Sequence, residues 1–200
     1  MRHRVFVAIN LDKQAIVKIG DLIEECREKL PRGIVEQFRF VPPENWHITL
    51  SFLGYQEDAD IEKIKEALNV WKSDFLRKSD FLVPAPFEIK FERIIWGPFE
   101  RTPSMIWLLG DKETSKRLGE IKNHLEDILE AKNVSFDRET RPFNAHITLA
   151  RFDIRLPHPK PTIEKNVDLR FEASSLDLME SKLSQEGAHY AVLQKFSFRT

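Results

Sequence analysis

Asn45-Trp46-His47-Ile48-Thr49-Leu50 and Asn144-Ala145-His146-Ile147-Thr148-Leu149 share the run His-Ile-Thr-Leu, 99 positions apart. A repeated tetrapeptide proves little by itself, but the same offset applied without gaps carries much more. Val7 falls on Ile106 and Ile9 on Leu108. Asp12-Lys13 falls on Asp111-Lys112, so two helix-capping residues coincide. Ile19, Leu22, Cys26 and Leu30 fall on Leu118, Ile121, Leu125 and Leu129, each set spaced as the apolar stripe of an amphipathic helix. Gly20 meets Gly119, and Asn45 meets Asn144. A strand–helix–strand unit is therefore expected twice, over about 4–54 and 103–153. Two such copies in 200 residues predict a single bilobed α+β domain. Its two pseudo-symmetric lobes, mainly antiparallel sheet with outer helices, would set equivalent strands on opposite walls of a central cleft.

Strand parity says which residues face that cleft. Residues two apart in a strand point the same way. His47 and Thr49 share one face, as do His146 and Thr148. Trp46, Ile48 and Leu50, and likewise Ile147 and Leu149, share the other, which must be buried under the helices.

The rest of the chain supplies the frame. Arg4 to Leu11 reads as a buried strand, and Asp12 opens a helix that Pro31 stops. Gln37 to Val41 reads as a strand broken by Pro42-Pro43. His47 to Leu53 reads as the first motif strand, closed by Gly54. A helix is expected over Asp60 to Leu76, then strands over Phe87 to Trp96 and Met105 to Leu109 around a Pro-containing turn. A third helix follows Asp111, and the second motif strand is expected over Phe143 to Phe152. Residues 155–161 (Arg-Leu-Pro-His-Pro-Lys-Pro) must form a loop. Leu169 to Met179 and Tyr190 to Phe198 read as closing strands.

Composition narrows the function. Thirty-one Lys and Arg against 32 Asp and Glu leave a net charge of −1, so no global polyanion-binding field exists. A polyanion would have to be met locally, and Arg141, Arg151, Arg155, Lys160 and Lys165 make the second motif's surroundings the basic segment. The single cysteine, Cys26, cannot form an internal disulfide, which suits a reducing, cytoplasmic compartment. No stretch reads as a signal peptide or membrane span, and a monomer without membrane attachment is expected.

A histidine with a hydroxyl beside it, presented twice, suits chemistry at a phosphodiester. Imidazole titrates near ~6.5, so a neutral copy can take a proton from water while a charged copy gives one to a leaving oxygen. The hydroxyls can hold non-bridging oxygens. The scheme needs no metal and no cofactor. His3, His124 and His158 stand outside the repeat and read as structural or solvated. Neither motif has the two-ligand spacing of a zinc site, no nucleophile elbow supports a serine triad, and no Gly-rich phosphate loop is present.

These residues resemble the two-histidine (2H) phosphoesterases, in particular the RNA 2′,3′-cyclic phosphodiesterases also called 2′-5′ RNA ligases. The likeness rests on Arg4 to Ile9, on Pro42 to Gly54, on Gly97-Pro98-Phe99 with Ile106-Trp107, on Arg141-Pro142-Phe143 with His146 to Arg151, and on Ser175 to Gly187. It implies a bilobed fold with a V-shaped cleft. It also implies an enzyme, a phosphodiester hydrolase that opens a terminal 2′,3′-cyclic phosphate on RNA, tRNA fragments among the candidate substrates, to a 2′-phosphate. His47 would be the general acid at the 3′ oxygen, His146 the general base on water, and Thr49, Thr148 and Arg151 the phosphate holders. Parity alone sets Arg151 on the face opposite His146, so the strand must end or bulge near Ala150 if Arg151 is to reach the cleft. Ala145 stands where the family often has proline. Two alternatives use the same residues: 2′-5′ joining of RNA ends as the relevant direction, or RNA-end binding with incidental catalysis. A metal-dependent hydrolase is the rival that a chelator tests.

Overall fold

The computed structural model describes residues 1–77, 86–184 and 187–198. Along the chain run β1 (Arg2–Asn10), α1 (Lys13–Lys29), α2 (Arg32–Val35), β2 (Arg39–Phe40), β3 (His47–Glu57), α3 (Asp58–Arg77), β4 (Phe87–Gly97), β5 (Met105–Gly110), α4 (Lys112–Ala131), β6 (His146–Arg151), β7 (Lys165–Ala173), β8 (Ser175–Ser184) and β9 (Gly187–Ser197). Two antiparallel sheets result, ordered β3-β1-β8-β9 and β2-β6-β5-β4-β7. The strands that carry the two motifs, β3 at the edge of the first sheet and β6 next to the short β2 in the second, lie beside each other.

The halves match at the level of single pairings. In the first sheet Ile9 pairs with Ile48 and Ala8 with Thr49; in the second, Leu108 pairs with Ile147 and Trp107 with Thr148. Both ladders slip at the next step. Val7 pairs with Ser51 and Ile106 with Ala150, leaving Leu50 and Leu149 as extra residues. Each motif strand therefore carries a bulge directly after its threonine. The helix caps correspond too: an Asp12 Oδ1 oxygen accepts from the Ala15 N–H at 2.7 Å and an Asp111 Oδ1 oxygen from the Thr114 N–H at 2.8 Å.

The helices bind the two sheets together. α4 begins beside β4, where Thr114 Oγ1 accepts from the Lys90 N–H, and continues to β3, where Ser51 donates to the Glu126 carboxylate at 2.8 Å. α1 lies against β7 of the second sheet, with Glu25 paired to Lys165 and Arg27 over the Phe40 ring. One continuous apolar core fills the space between sheets and helices, including Ile19, Ile48, Trp71, Leu118, Ile121, Leu125, Leu129 and Ile147. Phe6, Ala8 and Met179 form a small separate cluster with Tyr190, on the other face of the first sheet. That face is the cleft wall.

Several expected boundaries shift for identifiable reasons. Leu30 leaves helical geometry because Pro31 follows it, but one further turn, α2, was not anticipated. The expected strand over Gln37 to Val41 is only two residues, and it pairs with β6 of the other sheet. β6 begins at His146 rather than Phe143, since the Ala145 N–H donates to the Ser115 hydroxyl at 3.1 Å instead of to a strand. Leu169 to Met179 is not one strand. It is the end of β7 and the start of β8, parted at Ser174, whose carbonyl accepts from the Phe198 N–H at 2.8 Å. The two pieces lie in different sheets, so this is where the chain crosses from one to the other.

Candidate active site

Backbone parity puts the motif side chains where the sequence predicts. Trp46, Ile48, Leu50, Ala145, Ile147 and Leu149 are buried, while His47, Thr49, His146 and Thr148 are half-buried at the cleft. The bulge then reverses parity. Leu149 and Ala150 are both buried, and Arg151 emerges on the side of His146 and Thr148. The condition that parity set for Arg151 is met by the Leu149 bulge.

Both imidazoles are held the same way. His47 Nδ1 lies 2.8 Å from the Asn45 carbonyl oxygen, and His146 Nδ1 lies 2.7 Å from that of Asn144. A carbonyl can only accept, so Nδ1 carries the proton in each ring and Nε2 is left for the cleft. The Asn45 side-chain amide donates to the Ala188 carbonyl at 2.7 Å, which anchors the loop before His47 to β9.

The surroundings of the two rings differ. His47 Nε2 and Thr49 Oγ1 are hydrogen-bonded at 2.9 Å. The His47 ring lies 4.9 Å from Phe6 and 5.1 Å from Tyr190, centroid to centroid. His146 instead stacks on Trp107, with centroids 3.9 Å apart and planes 24° from parallel. Trp107 lies flat on β4: a Cβ on Gly97 would come within 2.5 Å of its Cδ2. In the other half the position corresponding to Trp107 is Ala8.

Burial lowers both histidine pKa values, because the charged ring loses solvation. The hydrogen bond to each backbone carbonyl opposes this, and the Arg151 charge adds to the lowering at both rings. His47 also feels His146 and is pushed down to about 4. One guanidinium thus acts on both imidazoles, which sets the two strands around a common space. Arg151 reaches Met105 Sδ at 3.5 Å and is otherwise exposed. On the same face as Phe6 and Ala8, the Asn10 amide donates to buried Asp177 at 2.6 Å, and Asn10 pairs with His47 across the strands.

The remaining sequence candidates lie elsewhere. Arg141 is ion-paired with Glu139, Lys165 with Glu25, and Lys160 donates to the Glu100 carbonyl. The basic segment is therefore largely engaged with the protein itself. His3 bridges Glu180 at 2.6 Å and Asp58 at 2.8 Å. His124, expected to be simply solvated, instead sits between α4 and α3 with Nε2 3.8 Å from Asp74. No group of three or more His, Cys, Asp and Glu able to hold a metal ion occurs among the described residues. No helix of the described residues is long and apolar enough to cross a membrane. Trp107, Phe6 and Tyr190 were missed as site residues. Trp107 was within reach of parity, because Ile106 and Leu108 on either side of it belong to the core.

Two antiparallel sheets meeting at paired His-x-Thr strands are the arrangement of the two-histidine phosphoesterases. The family model described as the AKAP7 2′5′ RNA ligase-like domain matches residues 3–198, and the chain belongs to this family. It is 30% identical to an RNA 2′,3′-cyclic phosphodiesterase of Thermus thermophilus over 162 residues, 80% of this chain and 75% of that protein. It is also 30% identical to a Methanocaldococcus jannaschii protein of the same name over 198 residues, 96% of this chain and 99% of the other. A crystal structure of a Thermus thermophilus protein superposes with a TM-score of 0.74 at 27% identity, covering 98% of each chain.

Proposed function

We propose that this protein hydrolyses 2′,3′-cyclic phosphate ends of RNA to 2′-phosphates, without a metal. The observation that carries the proposal is the pair of Nε2 atoms turned to one cleft, that of His47 bonded to the Thr49 hydroxyl, with the Arg151 charge acting on both rings. The names of the relatives supply the substrate class. The cyclic phosphate sits between the rings, with its non-bridging oxygens on Thr49, Thr148 and Arg151. His146 Nε2 takes a proton from water as the water oxygen bonds to phosphorus. The bond from phosphorus to O3′ breaks, and His47 Nε2–H gives its proton to that oxygen. The products are a 2′-phosphate and a free 3′-hydroxyl.

The direction of the assignment has a physical basis. The more a ring's pKa is lowered, the more readily its protonated form gives the proton up. His47 is the ring pushed down to about 4, which suits the donor to a poor alkoxide leaving group. His146 has its ring against an indole face, which favours the imidazolium that forms when it accepts a proton. The anionic phosphate is what charges His47 when substrate binds. The protein acts as a monomer in the cytoplasm.

The test is product analysis on an oligoribonucleotide ending in a 2′,3′-cyclic phosphate, with and without chelator. A 2′-phosphate product insensitive to chelator supports the reading. A 3′-phosphate product, or loss of activity with chelator, overturns it.

A further inference from the structure

We infer that Trp46 is a positioning residue for the reaction: its indole N–H, acting through the Val41 carbonyl, holds the bulge that aims Arg151 into the cleft. The inference rests on the proposed function, in which Arg151 holds the phosphate.

The side chain of Arg151 does little to fix its own aim. It is exposed, and beyond Met105 Sδ at 3.5 Å it makes no hydrogen bond or ion pair among the described residues. Its direction is therefore set by the backbone, and the bulge at Leu149 is what turns it to the cleft. Leu149, the extra residue, has no partner on β5. Its carbonyl accepts instead from the Val41 N–H at 2.9 Å, on the opposite side of β6. The rest of that side comes from the same short segment. Phe40 pairs with Ala150 and Arg39 with Arg151, Arg39 also meets Asp153 at 2.8 Å, and the Phe38 ring stacks on Phe152 with centroids 4.4 Å apart. Residues 38–41 thus grip β6 on both sides of Arg151.

Val41 is in turn fastened to the first motif. Its carbonyl accepts from the Trp46 indole N–H at 2.8 Å, and Trp46 is the residue before His47. Trp46 is buried on the core face. Packing there asks only for a large apolar side chain, whereas the N–H reaches the segment that holds the other motif strand. The 99-residue counterpart, Ala145, makes no such crossing: its N–H donates to Ser115 and its carbonyl accepts from Gly110, both in its own half. The connection thus runs one way, from the His47 strand to the strand that carries the arginine.

Trp46→Phe keeps an aromatic ring and removes the N–H. Both histidine rings are titrated by NMR, and 2′-AMP affinity is measured by calorimetry, for this variant, for Arg151→Gln and for the double variant. Arg151 lowers both ring pKa values, so Trp46→Phe is expected to raise both. It should also weaken 2′-AMP about two- to tenfold, the range of one net hydrogen bond, and lower kcat/KM on 2′,3′-cyclic AMP by a similar factor. In the Arg151→Gln background it is expected to change none of these further. Equal changes in both backgrounds, or no change in either, overturn the inference, because a role in the fold alone does not depend on Arg151. Phe38→Leu loosens the grip at Phe152 while keeping Trp46; it is expected to give the same pattern, and decides the matter if Trp46→Phe does not fold. If wild type leaves 2′,3′-cyclic AMP intact, the proposed function fails while the ring titrations still judge Trp46.

Discussion

Unliganded His47 should be uncharged at neutral pH and become a proton donor only when the phosphate arrives. Its pKa is pushed from 6.5 to about 4, mainly by burial. Each unit is worth about 1.4 kcal/mol, so charging the ring costs roughly 3 kcal/mol beyond its cost in water, less whatever solvent in the open cleft relieves. A phosphate anion about 4 Å from the ring returns about 4 kcal/mol at an effective dielectric near 20. The two quantities nearly cancel, which places the liganded pKa near or above 6.5. The sign for stability follows. The folded protein binds fewer protons than the unfolded chain between pH 4 and 6.5, so His47 costs stability as pH falls through that window, and bound phosphate restores it. The assay is carbon-detected titration of the His47 ring by NMR, with and without inorganic phosphate, paired with calorimetry at pH 7 in buffers of different ionisation enthalpy. Expected are an apparent pKa well below 6 without ligand, a rise of at least one unit with phosphate, and uptake of up to one proton on binding. A His47 that titrates near 6.5 in the free protein, or binding with no proton uptake, would refute the reasoning.

His47→Ala and His146→Ala are each expected to reduce hydrolysis by about 10²–10⁴ while the melting curve stays cooperative; wild-type turnover in either would end the paired acid–base scheme. Arg151→Gln removes a charge that lowers both histidines and, in the proposed reaction, holds phosphate, so both ring pKa values should rise and 2′-AMP affinity should fall about 10- to 150-fold by calorimetry. Gly97→Ala must displace the Trp107 indole, whose Cδ2 would be 2.5 Å from the new methyl. It should therefore shift the His146 resonances and lower kcat several-fold, as Trp107→Leu should too, since a stacked aromatic pair is worth about 0.5–1.5 kcal/mol. Unaltered His146 signals in Gly97→Ala would count against the stack. Glu126→Ala strands buried Lys122 and Ser51, and should cost about 3–5 kcal/mol in urea unfolding; a loss under about 1 kcal/mol would show that this network does not tie α4 to β3.

Period and parity carried most of the fold because the buried positions are apolar and regular in both halves. Leu118, Ile121, Leu125 and Leu129 are all buried as expected, and in α1 only Leu22 gives way to Ile23 as the fully buried residue. What stayed hidden depends on long-range pairing. The bulges at Leu50 and Leu149 use a residue that suits any strand, so nothing local marks them. Only the demand that Arg151 face the cleft hinted at one. The break at Ser174 has neither proline nor glycine, and it exists because β7 and β8 pair with β4 and β1 in different sheets. The helices crossing between sheets were likewise unreadable, since an apolar stripe does not say which sheet covers it.

A cleft made of two equal halves presents a chemical problem, because identical histidines cannot divide acid and base roles. The solution lies in positions on and beside the motif strands where the 99-residue correspondence fails in residue type. Ala8 stands opposite Trp107, so only His146 has an indole against its ring. Phe52 stands opposite Arg151, so the guanidinium enters from one wall only. Ser51 stands opposite Ala150, so only the His47 strand is tied through its bulge to a buried carboxylate. All three differences lie beside the bulge that follows the threonine, whereas the atoms that hold each ring's Nδ1 are the same in both halves. The shared part fixes the tautomer and leaves both Nε2 atoms on the cleft side. In the proposed reaction the unshared part decides which ring gives the proton. Exchanging the pair, with A8W and W107A in one chain, should therefore move the lower pKa from His47 toward His146 without changing either Nδ1 bond, and NMR titration of both rings would detect the exchange. If the two pKa values stayed in their original order, Trp107 would not be what sets the two rings apart.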